Sequence, residues 1–147
     1  MSATPTGAPP LPAAAREETE TGAEAFAKYY IEIDNYVINA RDLKPEEELF
    51  DPDECSRCKS IVDAYRKSLD KGEYIQGGNY TVTSSKAIKV KEKIYLVTVK
   101  YDRDPVQLFN KNGQKVGGLV AAIQGQEALV TLNYREGRWR VSAFDQR

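Results

Sequence analysis

An α+β fold, with N-terminal helices packed on a curved antiparallel sheet, is what this sequence predicts, and three observations carry the prediction. Apolar and aromatic residues recur every three or four positions in the first half of the chain and switch, beyond Gly72, to alternation. No helical pattern separates the later alternating segments, which disfavours a doubly wound parallel sheet. Two turn signals, Asn112-Gly113 and Arg135-Glu136-Gly137-Arg138, each sit between alternating runs and read as hairpins.

The chain opens with a run of prolines and small residues, Ser2 to Ala15, that cannot build a core. Residues 1–20 are therefore expected to form a disordered, partly extended linker, and residues 21–147 a single domain. That domain, about 125 residues long, is large enough to bury one core. Thr21 is the expected N-cap of the first helix, with Glu24 as its capping-box partner. Phe26, Tyr29, Tyr30, Ile33, Tyr36, Val37 and Ala40 then form one broad face of a helix of about five turns. Lys44 to Glu54 reads as an acidic loop. From Lys59 to Asp70 a second helix presents Ile61, Val62, Tyr65 and Leu69 on one side and stops at Gly72. Tyr80–Val90 and Tyr95–Tyr101 alternate as strands about Lys91-Glu92-Lys93, Phe109–Val116 folds over Asn112-Gly113, and Leu129–Tyr134 pairs with Trp139–Phe144. Gly77-Gly78, just ahead of the sheet, suits a bulge or a close backbone approach. Helices covering one sheet face should bury Phe26, Tyr30, Ile33, Val37, Ile61, Tyr65, Val97, Val99, Leu132 and Trp139 together.

Cys55-Ser56-Arg57-Cys58 holds the only two cysteines, and the chain has no histidine. The commonest general base and the commonest metal ligand are thus absent together. A structural zinc site needs four ligands and finds two, so no metal is expected. A thiol redox pair needs a thiolate stabilised by a helix N-terminus, but the acidic flank Glu46 to Glu54 opposes thiolate formation. A structural disulfide pinning the loop to the second helix is the reading these surroundings favour, and it points to an oxidising compartment.

Charge and motifs exclude further classes. The formal net charge of −1 gives no basic footprint for nucleic acid, although eight basic against fifteen acidic residues up to Asp70 contrast with thirteen against seven from Lys71 onward. The longest apolar runs, such as Leu119–Ile123, fall far short of the roughly twenty residues of a membrane span. Gly77-Gly78 precedes a strand and lacks the Lys-Ser/Thr of a phosphate loop. Ser84-Ser85 has no histidine to activate it.

The order of an aromatic-faced helix, an acidic loop, a second helix and a curved sheet ending in Gly137-Arg138-Trp139-Arg140-Val141 resembles the nuclear-transport-factor-2-like (SnoaL, ketosteroid isomerase), cystatin-like cone fold. Gly22-Ala23, Ala25-Phe26, Tyr29-Tyr30, Asn35, Asp51-Pro52-Asp53-Glu54-Cys55 with Cys58, and Gly77-Gly78 together resemble an uncharacterised family of actinobacterial lipoproteins, over roughly residues 20–80. That resemblance implies a domain outside the cytoplasm, secreted or held to the membrane only through a lipid anchor absent from this chain, with residues 1–20 as its linker.

Isomerases of the cone fold imply an acid in an apolar pocket, raised in pKa by desolvation, with a tyrosine polarising the substrate. Asp34 and Tyr30, four apart on one helix face, and Tyr134, Trp139 and Asp145 from the last strands are the residues here that could line such a pocket. Each also has a plainer role: Asp34 beside Glu32 at a solvent edge, Tyr30 and Trp139 as core, Asp145 at a fraying end. No convergent acid and base pair is evident, so no catalytic residue and no cofactor is assigned. The expectation is a non-catalytic, extracytoplasmic domain of the cell envelope that binds a small apolar ligand or an envelope protein in a tyrosine-lined hollow, with no nucleic acid partner. An isomerase or cyclase using a buried carboxylate and a tyrosine, and a CxxC redox protein, are the alternatives.

Overall fold

A computed structural model describes residues 7–147. Its elements are α1 (Glu20–Ala40), α2 (Lys44–Glu47), α3 (Ser56–Asp70), β1 (Tyr74–Gly77), β2 (Tyr80–Lys91), β3 (Ile94–Arg103), β4 (Val106–Phe109), β5 (Lys115–Val120), β6 (Ile123–Arg135) and β7 (Arg138–Gln146). The α+β layering expected from the sequence is what the molecule has. A four-stranded antiparallel sheet, β2-β3-β6-β7, is covered on one face by the helices, and a three-stranded sheet, β1-β4-β5, stands beside it.

Alternation along the long strands decides which face is buried. Val97 pairs with Val130, and Val130 with Phe144. All three point inward with Val99, Leu132 and Val141, at 0–7 % exposure. Against them α1 sets Phe26, Tyr30, Ile33 and Val37 at its three- and four-residue spacing, each buried. Of the expected core, eight residues are buried, while Ile61 and Tyr65 are half-buried and pack on its edge.

The N-terminal side departs from the expectation. The N-cap of α1 is Thr19, whose Oγ1 accepts from the Gly22 amide at 2.9 Å, and not Thr21. Residues 8–19, read as linker, lie on the domain: a 3₁₀ turn at Ala13–Arg16 buries Ala15 completely. The reason is a set of bonds that composition does not reveal. Trp139 Nε1 donates to the Glu17 carbonyl at 3.0 Å, Tyr134 Oη to that of Arg16 at 3.2 Å, and Tyr29 Oη to that of Pro9 at 2.6 Å. The expectation for residues 1–6 lies outside the described residues.

Two local features position the site. Arg41 ends α1 in the left-handed conformation, φ 58°, and turns the chain into α2. Gly77 and Gly78, at φ 80° and 76°, let the backbone close on Pro105; the Gly78 amide donates to the Pro105 carbonyl at 3.0 Å, and a side chain on Gly77 would collide with that oxygen. This is the close approach read from the sequence. The acidic loop contains α2 and sends Phe50 into the core, where it bridges to Val141.

Candidate functional site

A cavity of about 560 Å³ lies between the C-terminal half of α1, one side of α3, and the inner face of β1-β4-β5. Its walls are mostly aliphatic: Val37, Ile38 and Leu43 near the end of α1, Leu69 from α3, Ile75, Val106 and Leu108 from the small sheet. The strand β5 forms an open rim, with Leu119 67 % and Val120 51 % exposed, so apolar surface remains uncovered at the mouth. Polar groups are few: Arg41, Ser68, Glu73, Arg103 and the hydroxyl-bearing rings of Tyr65, Tyr74 and Tyr80. A concave apolar wall with a few placed polar groups is the usual form of a small-molecule site.

Behind Tyr65 and Tyr80 is a second, much smaller space of about 70 Å³, which also touches Tyr30, Asp34, Glu46 and Tyr101. Asp34 and Glu46 are buried there, at 8 % and 4 % exposure. Burial pushes the Glu46 carboxyl up to about 10, reinforced by the charge of Asp34 and the hydrogen bond between them. Glu46 therefore keeps its proton and donates it to Asp34. Asp34 is itself raised by burial, with the bonds from Glu46 and Tyr65 opposing the rise. The Tyr65 hydroxyl donates to Asp34 Oδ2 at 3.1 Å, and desolvation followed by the Asp34 charge holds that phenol far above its ordinary value. Desolvation, then the same charge, pushes Tyr80 up to about 12.

Of the residues singled out from the sequence, Asp34 and Tyr30 thus come together, but in the small space and not in the large cavity. Asp34 is not at a solvent edge; Glu32 beside it is, and accepts from the Val82 amide at 3.0 Å. Tyr134 and Trp139 line neither space. They stack edge-on at 4.9 Å, with Trp139 also against Tyr95 at 4.9 Å, and anchor the N-terminal segment. The wide separation follows from β7 register, which sets Tyr134 opposite Trp139 at the end of the sheet away from the cavity. Asp145 lies near the end of β7, exposed.

Cys55 and Cys58 are joined as a disulfide, with Cα atoms 5.3 Å apart. Cys55 is the N-cap of α3, its Sγ accepting from the Cys58 amide at 3.2 Å. Exposures of 1 % and 0 % keep both sulfurs from an attacking thiolate.

Sequence reasoning missed Glu46 and the cavity walls. Glu46 sits in a run of three glutamates with nothing to mark the one that turns inward. The cavity needs β1 to pair with a β4–β5 hairpin remote from it in sequence, and the four-residue β1 carries too little alternation to be read.

The matching family model, a family of unknown function (DUF6318), spans residues 3–145. The chain belongs to this family. No curated protein matches it. Among solved structures, this DUF6318 domain is similar to the intermembrane space region of the chloroplast protein ARC6, at 10 % identity and a TM-score of 0.62 over 88 % of this chain and 97 % of that one. It is also similar to Aln2 from a Streptomyces species, at 10 % identity and a TM-score of 0.54 over 89 % and 92 %. An uncharacterised protein with a cystatin-like fold from Caulobacter vibrioides matches at 17 % identity and a TM-score of 0.52 over 84 % of each chain. At these identities the likeness is one of fold, and it is the cone expected from the sequence.

Proposed function

We propose that this DUF6318 domain is a non-catalytic binding module of the cell envelope, acting outside the cytoplasm, that holds a small apolar ligand in the cavity beside β1-β4-β5. The observation that carries the reading is the separation of volume from chemistry. About 560 Å³ of mostly aliphatic space is open to a ligand. The proton-bearing carboxyl pair faces about 70 Å³, little more than two waters' share of liquid volume at roughly 30 Å³ each. The extracytoplasmic placement draws support from the buried disulfide and from the resemblance to lipoproteins, whose anchor would lie before the linker.

The isomerase or cyclase alternative draws on one observation, Asp34 desolvated beside the Tyr65 hydroxyl. Against it, neither Asp34 nor Glu46 lines a cavity large enough for a substrate, whether the one beside the small sheet or that of about 540 Å³ on the outer side of α1. The redox alternative meets two sulfurs out of contact with solvent.

A neutral fluorescent apolar probe such as N-phenylnaphthylamine tests the proposal. The expected result is saturable binding that Ala64→Trp, which projects an indole from α3 into the cavity, weakens by about tenfold or more while the thermal unfolding transition stays cooperative. Unchanged binding in that folded variant would remove the cavity from the account.

A further inference from the structure

We propose that the ligand is a single-chain amphipathic anion, its carboxylate held by Arg41 and Arg103 and its hydrocarbon tail lying along the small sheet. This rests on the ligand-binding reading above and adds the chemical class. Both arginines line the cavity, yet neither belongs to any of the ion pairs among the described residues. Their bonds go chiefly to main-chain carbonyls, with Arg103 also reaching the Tyr80 hydroxyl. Arg41 Nη1 donates to the Glu73 carbonyl; Arg103 donates from Nη2 to that of Ala121 at 2.7 Å and from Nε to that of Asp104 at 3.3 Å. Such bonds fix each guanidinium without neutralising it, and each has five N–H donors, so donors remain for a ligand.

No carboxylate among the described residues forms an ion pair with either guanidinium. Glu73, the acidic residue in the lining, has its Oε1 bonded by the Ser68 hydroxyl at 2.8 Å. Asp42, Asp102 and Asp104 adjoin the two arginines in sequence; the first two accept from the Lys44 and Gly125 amides, and none of the three lines the cavity. Two guanidinium groups against one carboxylate leave the lining net positive at the edge of an otherwise apolar space. A carboxylate placed there gains charge–charge attraction and bidentate hydrogen bonds that a neutral hydroxyl cannot match.

Volume sets the tail. At roughly 30 Å³ per non-hydrogen atom, the share of a water molecule in the liquid, about 560 Å³ takes about nineteen atoms. A fatty carboxylate of medium length fits; a two-chain phospholipid does not.

The test is displacement of N-phenylnaphthylamine from the whole chain by three ligands of equal tail: laurate, dodecanol and dodecyltrimethylammonium. Laurate is expected to displace the probe at a roughly tenfold lower concentration than dodecanol, with the cation weakest. Arg41→Gln and Arg103→Gln should each bring laurate toward dodecanol, while Arg103→Lys keeps part of the preference. Arg41 is exposed, so its variant remains readable should Arg103→Gln fail to fold. Equal displacement by laurate and dodecanol overturns the anionic class and leaves the apolar cavity standing. Failure of the probe and all three ligands to bind overturns both.

Discussion

Glu46 shows how far one residue can depart from the expectation set by its neighbours. Glu47 and Glu48 are exposed, whereas Glu46 is buried and holds its proton up to a pH of about 10. The unfolded chain releases that proton near the ordinary value of 4.5. The folded state therefore binds the extra proton between those limits, and its contribution to stability is complete below about 4.5 and declines as pH rises toward about 10. Urea unfolding across this range should show stability falling with pH, at no more than about 1.4 kcal/mol per unit from this one group. Glu46→Gln keeps a donor toward Asp34 and removes the titration, so it should flatten the fall and leave the variant the more stable of the two at pH 9. A variant as pH-dependent as the parent would mean that the proton resides elsewhere.

At the scale of elements, the disulfide joins the acidic loop to the first turn of α3, and its cost can be set against its small ring. Closing so few residues removes little entropy from the unfolded chain, so Cys58→Ser should lose about 2 kcal/mol, the low end of the usual range. In protein isolated without reductant under alkylating conditions, both cysteines should resist labelling until unfolded and reduced. Ready labelling of the folded chain would contradict the pairing. The helices and the long strands were legible because each repeats its pattern over many residues: α1 carries its apolar face over 21 residues, and β6 alternates beneath it with Ala128, Val130 and Leu132 inward. Of the small sheet only the β4–β5 hairpin over Asn112-Gly113 was legible, since β1 and β4 have four residues each and β5 is exposed throughout. Alternation cannot be read where neither face is buried. The start of α1 was missed by two residues because Thr19 and Thr21 offer the same cap, and the choice falls to contacts made by Glu17 with Trp139.

The molecule as a whole is a cone whose wide end is left partly unfilled. One end is closed by Trp139, Tyr95, Tyr134 and the N-terminal segment; the other is widened by β1-β4-β5 and bounded by aliphatic walls. The candidate site was not legible in the sequence: the hollow expected around Tyr30, Asp34, Tyr134 and Trp139 is not the cavity, whose walls are mostly aliphatic and whose location depends on how the two sheets meet. Tyr65 was read as core and proves to stand between the two spaces, with one side toward the cavity and its hydroxyl on Asp34. The central claim, that the cavity beside the small sheet receives a ligand and the carboxyl pair does not, is tested most directly by methyl chemical shifts during titration with laurate. Saturable shifts at Leu69, Leu108 and Val116, with Val130 and Leu132 in the main core unmoved, are the predicted result. Shifts absent from the cavity methyls, or centred on the Ile31 and Ile61 methyls that flank Asp34 and Glu46, would contradict it.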